Sequence, residues 1–132
     1  MHEGIEAGRH ALAGINDPVD RLRRLARLHL ERLGQDRDLA VVFQVELRQS
    51  TKFMERFSST LLRSYLHAIR DAIADAQTAR LFRHDISPTF AAKMLYGALG
   101  EMATNWVLSR WHYALPVQAD EVVDLFVNGM TT

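Results

Sequence analysis

A chain of 132 residues, 48% of them apolar, is long enough for one domain with a sizeable core and too apolar to remain disordered. Its 16 basic and 16 acidic side chains cancel, which removes the whole-chain basic footprint of a nucleic-acid binder. Cysteine is absent, so disulfides, thiol nucleophiles and cysteine-ligated metals are excluded.

The opening Met1-His2-Glu3-Gly4-Ile5-Glu6 lacks the basic-then-apolar form of a secretion signal. No uncharged apolar run reaches the roughly 18 residues that a membrane-spanning helix needs. These features read as a cytoplasmic protein without a membrane partner.

Residues 3–14 are compatible with a first short helix. Asn16-Asp17-Pro18 is a clearer start signal. Asp17 can accept from first-turn amides, and Pro18, which has no N–H to lose, suits the first helical position. Leu22, Leu25, Ala26, His29, Leu30 and Leu33 then recur at helical spacing, and Gly34 stops the helix. The other face holds Arg21, Arg23, Arg24, Arg27, Glu31 and Arg32. Interleaved with acids and lacking aromatics, it reads as a solvated face, with contact to an anionic ligand or an adjoining domain as the second reading. His29 falls on the apolar side and reads as a core or boundary histidine, with a ligand contact as its alternative.

Asp36 or Asp38 can cap the next segment, Leu39 to Leu47. Its valines and phenylalanine favour strands, yet a lone strand would find no mate here, so the expectation is a short buried helix. Ser50 or Thr51 opens a long helix reaching about Ala79. Phe53, Phe57, Leu61, Tyr65, Ile69 and Ile73 form its stripe, widened by Met54, Leu62, Leu66 and Ala76. Asp71 and Asp75 share one face of it. Beside Arg70 they read as solvated charges rather than an acid–base pair.

Ser87-Pro88 repeats the start signal and opens a helix over residues 88–112. Its apolar positions include Phe90, Met94, Leu95, Leu99, Met102, Trp106 and Val107. Gly97 and Gly100 inside it each cost about 1 kcal/mol relative to alanine, which points to a backbone that another helix approaches closely. Pro116 breaks the chain, and a last helix runs from about residue 118 to 129 with Val122, Val123, Phe126, Val127 and Met130 on one side. From residue 81 onward the basic residues are Arg83, Lys93 and Arg110 alone, and the acids are Asp85, Glu101, Asp120, Glu121 and Asp124. So few long charged side chains point to a surface kept for a partner. The whole is expected to be all-α, an antiparallel bundle of about five to six helices.

Chemistry motifs are lacking. No phosphate loop, dinucleotide fingerprint, nucleophile elbow, zinc-protease or calcium-loop pattern occurs. No histidine has another within four residues. The chain is therefore expected to be neither an enzyme nor a holder of metal or cofactor. Gln44, Glu46, Arg48 and Gln49 lie against a buried segment, where a charge needs a partner. Glu46 and Arg48, two apart, do not face each other on one helix, so each reaches another helix or a ligand. Phe43, Phe53, Met54, Phe57, Tyr65, Phe90, Met94, Tyr96, Met102 and Trp106 describe either a close-packed core or a tunnel between helices.

The stretch from Ser87-Pro88-Thr89-Phe90 through Tyr96-Gly97-Ala98-Leu99-Gly100 to Trp106 resembles the C-terminal domain of TetR-type transcriptional repressors. More narrowly, Ala40-Val41-Val42-Phe43-Gln44-Val45-Glu46-Leu47-Arg48-Gln49-Ser50 is similar to the FadR-like fatty-acid-degradation regulators. The resemblance implies that residues 17–132 form a ligand-binding and dimerisation domain, with 1–16 the end of a connecting helix or a linker. It implies a homodimer built from residues 88–112 and about 118–129, with Leu95, Gly97, Leu99, Gly100, Trp106, Val123, Phe126 and Val127 at the interface. It implies a long-chain acyl-CoA or fatty-acid-like ligand, with Arg48 and Gln49 as polar contacts and Phe43, Phe53, Phe57, Tyr65 and Met94 as apolar wall. DNA would be met only through an N-terminal helix-turn-helix domain, which does not precede Asp17 here, so the chain is expected not to bind an operator alone. The alternative is a helical dimerisation or interaction module with no small ligand.

Overall fold

The computed structural model describes residues 14–41, 63–109 and 113–131. They form α1 (Pro18–Gln35), α2 (Arg37–Val41), α3 (Arg63–Thr78), α4 (Pro88–Leu108) and α5 (Val117–Met130). No strand occurs among the described residues. The all-helical expectation is met with four long helices and one short one. The helix expected at 3–14, most of the segment 39–47 and the first turns expected from 50 lie outside the described residues. The helix expected over 88–112 is described to Leu108.

Both start signals act as the sequence implies. Asp17 Oδ1 accepts from the amides of Val19 at 2.8 Å and Asp20 at 3.1 Å, with Pro18 next in line. Ser87 Oγ accepts from the Phe90 amide at 3.3 Å, again with proline following. Each cap contributes about 1 kcal/mol. The last helix has no side-chain cap. It grows from a turn in which the amides of Val117, Gln118 and Ala119 donate to the carbonyls of Ala114, Leu115 and Pro116.

The end of α3 is built differently. The Leu81 amide reaches back to the Ala76 carbonyl at 2.9 Å and the Arg80 amide to Gln77 at 3.0 Å, a Schellman closure. Arg80 occupies the left-handed position with φ 61°, where glycine is at ease and a side chain is strained. Arg80→Gly is therefore expected to stabilise the fold by up to about 1 kcal/mol, read as a higher melting temperature. A lower one would remove the strain argument. Gln77, buried under this turn, donates from Nε2 to the carbonyls of Arg83 at 3.0 Å and Ile86 at 2.8 Å. It closes the α3–α4 connection. The Arg83 amide adds a bond to the Met130 carbonyl at 2.7 Å, so the end of α5 is fastened there too.

Helix α1 packs on α3 and α5, α3 on α4, and α4 on α5. Cross-helix pairs give the directions. Arg21 meets Asp75 while the Tyr65 hydroxyl meets Leu25, so α1 and α3 run oppositely. Arg23 meets Asp124 at 2.7 Å while Arg27 meets Asp120 at 3.2 Å, so α1 and α5 do likewise. The arginine face of α1 is thus largely a seam to acids on α3 and α5. At these exposures each pair contributes at most about 1 kcal/mol. Leu22, Leu30, Ile69, Ile73, Leu95, Leu99, Leu115 and Val123 are fully buried and form the centre of the core.

At the other end of α4, the Arg37 guanidinium donates to the carbonyls of Val107 at 2.6 Å and Ser109 at 3.0 Å. It also lies 5.4 Å from the centre of the Trp106 ring. A cation at a helix C-terminus complements the dipole, and the indole face adds to the attraction.

Candidate functional site

Three rings from three helices meet inside the bundle. His29 of α1 lies 4.9 Å from Tyr65 of α3 and 5.6 Å from Tyr96 of α4, and the two tyrosines are 5.8 Å apart, edge to face. The Tyr65 hydroxyl donates to the Leu25 carbonyl at 2.8 Å. Burial, with Tyr96 adding to it, holds the Tyr65 hydroxyl protonated far above its usual range. Burial lowers the His29 pKa from its ordinary 6.5 to about 4, so the ring is neutral at physiological pH. Nε2 of His29 is shut off from solvent with no hydrogen-bond partner among the described residues.

The sign of the pH effect follows. The unfolded chain takes up a proton near 6.5 while the folded chain resists until about 4, so protonation favours unfolding. Unfolding free energy is expected to decline as pH falls through that window, by up to about 3 kcal/mol for this one group. His29→Phe should flatten that part of the denaturation-versus-pH curve. An unchanged slope would mean that other groups carry it.

A groove of about 440 Å³ opens between α3 and α4. Arg63, Leu66, His67, Arg70, Thr89, Ala92 and Lys93 line it. None of these side chains is acidic, in a protein whose net charge is zero. Arg63, His67 and Arg70 recur at i, i+4 and i+7 and so share one side of α3, while Lys93 comes from α4. Arg70 also pairs with its neighbour Asp71 at 3.1 Å. Leu66 and Ala92 form the apolar part of the lining. Such a trough can take a polyanionic head whose other end is apolar.

Of the residues expected in the ligand wall, Tyr65 stands in the ring cluster. Phe43, Arg48, Gln49, Phe53 and Phe57 lie outside the described residues. Met94, named for the same wall, is 59% exposed, on the outer side of α4. Leu95, Leu99, Trp106 and Val123, expected at a subunit interface, face the other way. They are 0–7% exposed within the single chain and pack in its own core, so they have no surface left for a partner. Gly100 is buried as well. Phe126 and Val127 are half-buried against the core, and Gly97 is exposed. The physical reason is that α4 is apolar nearly all round, so spacing gives two candidate inward faces and does not choose between them.

The outward face of α4 carries Phe90, Met94, Gly97, Ala98 and Leu108, and α5 exposes Val117 and Leu125. A methyl group added at Gly97 would meet nothing within 4 Å. Nothing in the packing of the described residues calls for that glycine.

Sequence reasoning missed the groove, although the basic spacing on α3 was readable. Lys93 was not joined to it because 23 to 30 residues separate it from Arg70 and Arg63 along the chain. Among the described residues no group of histidine, aspartate and glutamate could hold a metal, and no helix is long and apolar enough to cross a membrane.

Residues 1–129 match the family described as "YsiA-like protein, C-terminal region". The fatty acid metabolism regulator protein of Bacillus subtilis (strain 168) is 26% identical over 111 residues, which are 84% of this chain and 57% of that protein. The chain thus spans a little over half of that relative. The crystal structure of the Bacillus subtilis transcriptional regulator FadR in complex with stearoyl-CoA has the same fold, with a TM-score of 0.89 at 24% identity. That match covers 98% of this chain and 70% of that one. The fatty acid degradation regulator FadR of Bacillus halodurans gives a TM-score of 0.86 at 27% identity, over 98% of this chain and 67% of that one.

Proposed function

The chain belongs to the YsiA-like C-terminal-region family, the regulatory domain of FadR-like TetR-type regulators, and from that premise we propose that it is an effector-binding and dimerisation domain sensing a long-chain acyl-CoA. The observation that carries this reading is the basic groove between α3 and α4. An acyl-CoA has the matching halves. Its phosphates suit Arg63, His67, Arg70 and Lys93, and the start of its chain suits Leu66 and Ala92.

A second copy of the chain covers the outward faces of α4 and α5. The exposed Phe90, Met94, Gly97, Ala98 and Leu125 support this, since solvated helix faces do not ordinarily carry such a set. The protein works in the cytoplasm, where its acyl-CoA is found, and contact with DNA is the task of an N-terminal reading domain in TetR-type regulators. A ligand that fits one arrangement of the helices shifts the population toward it, which alters the spacing of the two reading heads against successive major grooves.

Titration calorimetry with a C12 to C18 acyl-CoA series tests the reading. Each buried CH₂ contributes about 0.8 kcal/mol, so affinity is expected to rise about ten-fold for every two carbons until the interior is full. Absence of saturable heat for every member would sink it.

A further inference from the structure

Glu101 interrupts the outward stripe of α4. A step of about 100° per residue puts it within about 20° of Phe90, Met94 and Leu108 around the helix axis. Those three are exposed, and so is Glu101. A carboxylate thus stands in the middle of an apolar face. Once a second copy covers that face the carboxylate loses its water, and a charge so enclosed needs a cation.

Lys93 is the one basic residue on α4 and α5. It too is exposed. Among the described residues neither Lys93 nor Glu101 makes an ion pair. Within one copy they stand about 12 Å apart along the helix axis and about 80° apart around it. Gly97 lies midway between them. It is exposed, and a methyl group added there would meet nothing within 4 Å, although glycine weakens a helix. A bare backbone at that point suits a neighbour that comes from outside the chain.

Two-fold symmetry joins these observations, because it matches residues across an interface by one rule. Copies of α4 running parallel would set Glu101 against Glu101 of the partner subunit, like charge on like. Copies running antiparallel and crossing at Gly97 set the residue four before the crossing against the residue four after it. We propose that the two copies of α4 cross antiparallel at Gly97 and that Lys93 of each forms an ion pair with Glu101 of the partner subunit. The bare backbones let the helix axes approach to about 8 Å, the close end of helix packing. Lys93 and Glu101 flank Gly97 at about 40° to either side, a gap that two long side chains bridge. The pair occurs twice and fixes the register, which an apolar stripe alone leaves free to slide.

The proposal rests on the dimer reading above. Lys93 also borders the groove, so the measurements are made on the whole chain without ligand.

The test is charge reversal read by sedimentation equilibrium. Lys93→Glu and Glu101→Lys are each expected to raise the dimer dissociation constant about ten-fold or more, since two attractive contacts become repulsive. The double variant is expected to return to within about three-fold of the wild type. Both side chains are exposed in the single chain, so the substitutions leave the fold in place. The crossing point has its own readout. The sequence has no cysteine, so Gly97→Cys carries a single thiol. At the crossing it lies within the roughly 7 Å between Cα atoms that a disulfide spans, and mild oxidation is expected to link the two subunits. Asn105→Cys, exposed two turns further along α4, is expected to stay unlinked. Single reversals that associate like the wild type, or a double variant as weak as they are, overturn the pairing and leave the dimer standing. Absence of the Gly97→Cys link, or an equal link at Asn105→Cys, overturns the crossing point. A wild type that stays monomeric across the concentration range overturns the dimer reading as well.

Discussion

Leu99→Ala is expected to lower the unfolding free energy by about 2–5 kcal/mol, the range for removing a fully enclosed aliphatic side chain. Leu99 has no exposed surface and sits at the centre of the core with Leu95, Ile69 and Ile73. Urea denaturation of the wild type and variant reads the difference. A cost below about 1 kcal/mol would mean that the site collapses freely or already faces outward. The same substitution is expected to leave subunit association unchanged at temperatures where the variant is folded, because Leu99 presents nothing to a partner.

Met94→Glu should do the reverse. Met94 is 59% exposed, so a carboxylate there is solvated in the single chain and costs little in monomer stability. In a two-fold interface each substitution occurs twice, and both carboxylates lose their water on association. The dimer dissociation constant is expected to rise about 100-fold or more, seen by sedimentation or by native mass spectrometry across a dilution series. Unchanged association would remove the outward face of α4 from the interface. Together the two variants separate neighbouring faces of one helix that sequence spacing ran together.

What the sequence made legible follows from which forces are local. The caps at Asp17 and Ser87 are side chain to nearby amide, with proline next in line, and both were readable. The buried side of α1 was readable because charge alternates with leucine there, and Leu22, Leu25, Ala26, Leu30 and Leu33 are all buried. In α4 no such contrast exists, and spacing alone does not tell its inward residues from its outward ones. Three features depend on partners far along the chain. These are the seam of Arg23 and Arg27 with Asp120 and Asp124, the grip of Arg37 on Val107 and Ser109, and the groove between Arg63 and Lys93. Residue types announce such contacts only as unpaired charge. Gln77 was silent for another reason: a glutamine in a helix is ordinary, and only the two carbonyls above it reveal its role.

Those two carbonyls, with the Schellman closure and the Met130 tie, make the α3–α4 connection the pivot of a pair of tweezers. The arms are helices, which resist bending, so a small change of angle at the pivot grows along their length. Tyr65 is 13 residues from the end of α3, roughly 20 Å at the helical rise. An opening of about 5° at the pivot would part the arms there by about 2 Å, half the thickness of an acyl chain, while the bonds at Gln77 lengthen by only a few tenths of an ångström. The rigid end sets the lever, and the parting of the arms is largest at the end farthest from it.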